Sequence, residues 1–110
     1  MDPTAIKEIS VQELKALRDE GKDFQLIDVR EADEYAFCNL GAEHIPLGEI
    51  AMSGHRVADD KMVVVHCRSG ARSAKAIAFL QLQHGFENLY NLRGGILAWA
   101  TEIDPSVPTY

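Results

Sequence analysis

The chain is poor in the features that mark secreted, membrane-spanning and nucleic-acid-binding proteins. Its first residues, "MDPTAIKEIS", contain no basic segment followed by an apolar one, so no signal peptide is expected. Apolar runs stop after a few residues, too short for a spanning helix. Cysteine is scarce: Cys38 and Cys67 stand alone, 29 positions apart. Without an export signal, that favours reduced thiols in a cytoplasmic protein over a structural disulfide. His44, His55 and His84 show no zinc-binding spacing with either cysteine, so no metal is expected. Basic residues number 11 against 17 acidic ones, and the net charge of −6 argues against nucleic acid and anionic membranes as partners. Repeats, low-complexity tracts and linkers are also missing. Residues 1–110 are therefore expected to form one domain. A domain of this size buries roughly 65% of its unfolded surface and requires no disulfide or metal staple.

The charge that is present is unevenly placed. Lys61 to Arg93 holds five basic residues against Glu87 alone, a balance of +4, and the remainder carries −10. Two readings fit: the ordinary scatter of a solvated surface, or a locally positive mouth for a small anion. Charge alone does not separate them.

Hydrophobic patterning alternates helices with strands. Ser10 and Glu13 form a capping box opening a helix near Val11–Glu20, which ends at Gly21. "FQLIDV" (24–29) has no helical period and suits a strand buried on both faces. Residues 30–37 read as a short acidic helix or turn. "MVVV" (62–65), running into His66, is the clearest strand because β-branched residues dominate it. Residues 73–84 are the clearest helix, with Ala74, Ile77, Ala78 and Leu80 inward, Gly85 closing it and Phe86 behind. A strand over 88–92 and a helix over 95–103 follow, and the tail from about 104, with Pro105 and Pro108, is irregular. Such alternation implies an α/β fold with a parallel sheet covered on both faces.

Between the clearest strand and the clearest helix lies "HCRSGARS" (66–73). Ligands of open parallel sheets gather outside the carboxyl ends of strands, where Cys67 falls. Successive loop amides can curl into an anion-holding nest, helped by the helix N-terminus, and Gly70 relaxes the backbone where positive φ is needed. The same field, with Arg68 and Arg72, lowers the thiol pKa and populates the thiolate at neutral pH. A thiolate needs no general base, and none is evident. His66 adjoins Cys67, but neighbouring strand side chains point to opposite faces, so His66 is read as a packed or strand-edge residue. Cys38 lacks such surroundings and is read as a structural or incidental thiol.

"LIDVREADEY" (26–35), "HIPLGEI" (44–50), "CRSGARS" (67–73) and "NLRGGILAW" (91–99) follow one another over nearly the whole chain. Together they resemble the motifs of single-domain rhodanese-like sulfurtransferases. The resemblance implies a five-stranded parallel sheet flanked by helices on both faces, with Cys67 as nucleophile and no cofactor. Cys67 would take sulfane sulfur from a donor such as thiosulfate and become a persulfide. The amides of Arg68, Ser69, Gly70, Ala71, Arg72 and Ser73 would cradle that sulfur. Cyanide or a thiol would then remove it in a ping-pong exchange. Asp28 and Arg30 would form an internal ion pair; Arg93 and Trp99 would border the pocket, unless Trp99 simply packs. Many members carry Gly-His-Ile-x-Gly-Ala after the Glu-Tyr pair, whereas "FCNLGAEHIPL" (37–47) displaces His44 and argues against a role for it. The ending "AWATEIDPSVPTY" resembles rhodanese domains fused behind E1-like adenylyltransferases, which supply sulfur to a carrier protein's C-terminus. The implied partners are small sulfur donors and acceptors, with a cysteine desulfurase or sulfur-carrier protein behind them.

Two other functions share this fold: phosphatase or arsenate reductase, and non-catalytic interaction domain. An interaction domain would usually have lost the cysteine. Cys67 to Arg72 is Cys-x4-Arg, one residue shorter than the Cys-x5-Arg of phosphatases and arsenate reductases. A tighter ring of amides suits one sulfur atom better than a tetrahedral oxyanion.

Overall fold

A strand of β-branched residues must be covered on both sides, and the fold is arranged around one. The structure, a computed structural model describing residues 4–110, places Val63–His66 (β4) at the centre of a five-stranded sheet. Gln25–Asp28 (β2) and Leu89–Leu92 (β5) flank it, and Glu8–Ile9 (β1) and Glu43–His44 (β3) form the edges. Every pairing is parallel, in the order β1-β5-β4-β2-β3. Val65 lies in register with Ile27 on one side and Asn91 on the other.

Four helices cover the faces: Val11–Asp19 (α1), Ala32–Phe37 (α2), Ala71–His84 (α3) and Gly95–Glu102 (α4). The period-2 alternation of β4 divides the core between them. Val63, Val65 and Cys67 join Ile77 and Leu80 of α3 on one face. Val64 joins Leu14 of α1 and Ile96 and Trp99 of α4 on the other. The α/β fold with a parallel sheet covered on both faces is therefore present.

The expected capping box is also present, with Ser10 Oγ accepting from the Glu13 amide and Glu13 accepting from the Ser10 amide. α3 departs from its expected start. Gly70, at φ 114°, turns the chain so tightly that the helix begins at Ala71, ahead of residue 73. Its inward face is Ser73, Ala76, Ile77, Leu80 and Gln81, and Ala74 and Ala78 are only half-buried.

Asp28 and Arg30 form the expected internal pair. Both side chains are fully buried, with Arg30 Nη2 2.7 Å from Asp28 Oδ2 and Nε 3.0 Å from both carboxylate oxygens. A buried pair persists only when its remaining donors are met. Here Arg30 also donates to the Cys38 carbonyl at 2.7 Å and the Tyr110 hydroxyl at 2.9 Å. Among the described residues, no helix is long and apolar enough to cross a membrane. Cys38 and Cys67 are both free thiols.

Candidate active site

Strand β4 ends by delivering Cys67, and the chain reverses through Arg68–Gly70 before α3 begins. Cys67 is 1% exposed. Its Sγ accepts from the Gly70 amide at 3.1 Å and faces the Ser73 hydroxyl at 3.4 Å. Helix α3 has Gly70 at its cap and no side-chain cap bond, so the sulfur meets N–H groups that a cap residue would ordinarily take.

The direction of the loop amides has a structural cause. Ile96 and Leu97, in the first turn of α4, donate to the Cys67 and Arg68 carbonyls at 3.0 and 3.1 Å. Asn91 Nδ2, from β5, donates to the Gly70 carbonyl at 3.0 Å. In a trans peptide the N–H points opposite the C=O. Drawing carbonyls outward therefore turns the following amides inward. The motif "NLRGGILAW" thus acts on the cysteine loop from across a strand boundary.

Burial pushes the Cys67 thiol up, but the Ser73 hydroxyl and the Ser73, Gly70 and Ser69 amides more than offset it. The net result is a thiol below its ordinary value, as a thiolate nucleophile requires. The Ser73 hydroxyl has one proton and three acceptors nearby: Asn91 Oδ1 at 2.5 Å, the Gly70 carbonyl at 3.2 Å and Cys67 Sγ at 3.4 Å. Asn91 Nδ2 on Gly70 fixes which end of the amide meets Ser73.

The loop's two arginines are both engaged. Arg72 forks onto Glu34 of α2 at 2.6 and 2.9 Å, and that bond holds the Glu34 carboxyl at about 2. Arg68 Nε donates to the Tyr110 main-chain oxygen at 2.7 Å, with Nη2 on the same atom. Sequence reasoning picked out neither Glu34 nor Tyr110 nor the side chain of Asn91. Fork geometry across 38 positions leaves no local spacing signal.

A family model described as "Rhodanese-like domain" matches residues 10–102. The chain belongs to that family. It is 38% identical over 96 residues to a "Sulfurtransferase" of Allochromatium vinosum, covering 86% of this chain and 89% of that one. It is 37% identical over 106 residues to "Probable adenylyltransferase/sulfurtransferase MoeZ" of Mycobacterium tuberculosis, covering 93% of this chain but only 26% of the relative. The chain thus spans about a quarter of MoeZ. Among solved structures, a thiosulfate sulfurtransferase from Pseudomonas aeruginosa superposes with a TM-score of 0.76 at 26% identity, over 87% of this chain and 19% of that one. These relatives support sulfur transfer as the general chemistry of this rhodanese-like domain.

The other residues singled out in the sequence each have partners away from the sulfur. His66 is fully buried, turned toward Asp28 with Nε2 3.6 Å from Oδ2, and burial lowers its pKa. Its contact with Cys67 is through the main-chain oxygen, at 3.2 Å. His44 stacks on Tyr35 and meets the Arg30 carbonyl at 2.7 Å, outside the sulfur's surroundings. Cys38 is half-buried beside Arg30 and the Pro108 carbonyl. Trp99 packs in the core under Arg18, and Arg93 pairs with Glu8 on the surface. Among the described residues, no group of three His, Cys, Asp or Glu side chains is placed to hold a metal.

Two outcomes follow from these contacts. Ser73→Ala removes a hydroxyl that faces the sulfur, so the pH midpoint of Cys67 alkylation by iodoacetamide should rise. An unchanged midpoint would mean the amides suffice. For Glu34 the folded pKa lies below the unfolded one. The Arg72 pair therefore stabilises fully above about pH 4.5 and is lost as pH falls toward about 2. Glu34→Gln should flatten the thermal-stability profile across that window.

Proposed function

We propose that this domain is a sulfurtransferase that carries sulfane sulfur as a persulfide on Cys67. The observation behind it is the buried Sγ facing the Gly70 amide and Ser73 hydroxyl, with the Cys67, Arg68 and Gly70 carbonyls turned away. The Cys67 thiolate attacks the outer sulfur of thiosulfate. A Cys67 S–S bond forms, the donor's S–S bond breaks, and sulfite leaves with the electron pair. The amides from Arg68 to Ser73 receive the persulfide anion. Cyanide or a thiolate then attacks the outer sulfur, leaving as thiocyanate or a new persulfide and restoring the Cys67 thiolate.

The name of the Pseudomonas relative supports this donor class, and that of the Allochromatium relative supports sulfur transfer in general. The MoeZ likeness supports a sulfur-carrier protein as acceptor, and a cysteine desulfurase is proposed as supplier because it would deliver sulfur as a persulfide. A free thiolate suits a reducing compartment, so we place the domain in the cytoplasm. Phosphoryl transfer is disfavoured by a second feature beyond the short loop. Arg72, which would have to clamp the phosphoryl oxygens, is already forked onto Glu34.

Thiosulfate should add the mass of one sulfur atom to the intact protein, and cyanide should remove it. Aryl phosphates should not be hydrolysed. Hydrolysis through Cys67 faster than sulfur transfer would overturn the proposal.

A further inference from the structure

The mouth of the site is built by a residue far from the cysteine loop. Tyr110 meets three charged side chains at once. Its hydroxyl accepts from buried Arg30 at 2.9 Å and donates to Glu34 Oε2 at 2.7 Å. Its ring lies under the Arg68 guanidinium, 5.1 Å from centroid to Cζ, with Arg30 at 5.9 Å and Phe37 edge-on at 5.8 Å. Its main-chain oxygen takes the Arg68 Nε and Nη2 donors. The hydroxyl therefore has a fixed polarity, in a chain running from Arg30 through Tyr110 to Glu34, which Arg72 also grips.

These contacts have a consequence for donor choice. A small dianion approaching Cys67 would be recruited by Arg68 and Arg72, the loop's two cations. Glu34 already takes Arg72, and Tyr110 takes Arg68. An incoming anion must displace one of them. A donor that brings its sulfur on a thiol carrier needs neither arginine, because its transferred sulfur is received by the loop amides.

We propose that Tyr110 is a specificity-determining residue that holds Arg68 away from small anions and so biases Cys67 toward persulfide donors over thiosulfate. This rests on sulfur transfer at Cys67. With a persulfide RS–SH, the Cys67 thiolate attacks the outer sulfur, the donor S–S bond breaks, and RS⁻ leaves and takes the proton as RSH. With thiosulfate, sulfite leaves instead. The two donors differ at the group bonded to the transferred sulfur, an anionic sulfonate in thiosulfate and a carbon-bound sulfur in the persulfide, and only the sulfonate would draw Arg68 to the reacting centre.

The test compares wild type, Tyr110→Phe, Tyr110→Ala and Tyr110→Ala with Arg68→Ala. Each full chain is assayed for KM with thiosulfate and with glutathione persulfide. Each is also alkylated by iodoacetate and by iodoacetamide, which react at one sulfur and differ in charge. Tyr110→Ala cuts the hydroxyl ties to Arg30 and Glu34 that hold the tail, and with them the main-chain oxygen's hold on Arg68. The thiosulfate KM should then fall about tenfold and the iodoacetate-to-iodoacetamide rate ratio rise similarly, as expected when a charge-assisted contact is released. The persulfide KM should change less than twofold. Tyr110→Phe keeps the ring on Arg68 and should fall between. Adding Arg68→Ala should remove the gain. An unchanged reagent ratio, or equal loss with both donors, would show Tyr110 to be only a supporting wall. If no variant transfers sulfur while the reagent ratio still shifts through Arg68, the function proposed above fails and the control of Arg68 stands.

Discussion

Cys67→Ser is expected to lose sulfur uptake to the detection limit, a drop of roughly a thousandfold or more. Three physical reasons converge on this outcome. A serine hydroxyl is not ionised at neutral pH, so the Gly70, Ser69 and Ser73 amides that stabilise a thiolate have no anion to hold. Oxygen is also a poor nucleophile toward sulfane sulfur, and among the described residues no side-chain base contacts it: His66 meets residue 67 through the main-chain oxygen. Stability should change far less. The site is 1% exposed and adjoins the α3 face of the core, so an added hydroxyl costs about 1 kcal/mol once Ser73 offers it a bond. Cys38→Ser supplies the contrast. Its sulfur meets the Arg30 guanidinium at 4.0 Å and the Pro108 carbonyl at 3.6 Å, with no converging amides. The mass gained from thiosulfate should survive Cys38→Ser unchanged. Sulfur found on Cys38 in place of Cys67 would reverse the assignment.

What could be read in the sequence was whatever is local. The capping box at Ser10, the β-branched run of β4 and the Gly85 helix end each act within a few residues. The cysteine loop was legible for the same reason, since six consecutive residues carry the strand end, turn and helix start. β1 and β3 were not. Each is two residues long, held by main-chain pairing to Asn91 and Leu92 or to Ile27 and Asp28, and too short for a period. Only the family resemblance supplied the five-strand count. The start of α3 was misplaced because the turn at Gly70 is set by tertiary partners. Asn91 and Gly94 lie within 4 Å of the space a Gly70 side chain would occupy.

The mouth was least legible of all. Composition placed excess positive charge between Lys61 and Arg93, yet the fold brings Glu34 and Tyr110 onto its two arginines. An acidic helix 38 residues upstream and a tail residue 42 downstream supply partners that a charge count over Lys61 to Arg93 does not contain. Charge patterning records how many cations a segment has, not which of them remain uncommitted. Arg68→Ala alone should therefore change thiosulfate kinetics little in the full chain.

Gly95→Ala should damage the site without touching any reacting atom. Gly95 opens α4 at φ +59°, and a Cβ there would stand 2.6 Å from the Cys67 carbonyl oxygen and 2.6 Å from the Arg68 carbonyl carbon. Both obstacles are main chain and cannot swing aside, so loop and helix must separate. Separation lengthens the Ile96 and Leu97 bonds that hold those two carbonyls outward. Once released, the peptide planes rock and the Ser69 and Gly70 amides lose their aim at Sγ. Positional errors near 1 Å at a reacting centre cost about a hundredfold, so transfer should fall by about ten- to a hundredfold. The Cys67 alkylation midpoint should rise toward that of an ordinary thiol. Gly21→Ala is the matched control, because Gly21 has φ +65° and no atom within 4 Å of its absent Cβ. It should lose about 1–2 kcal/mol from the left-handed backbone alone and keep full activity. Gly95→Ala should lose that amount plus the clash, measured by denaturant unfolding of both variants. Equal destabilisation of the two, with a normal alkylation midpoint for Gly95→Ala, would mean that α4 does not shape the loop and that its amides point inward for another reason.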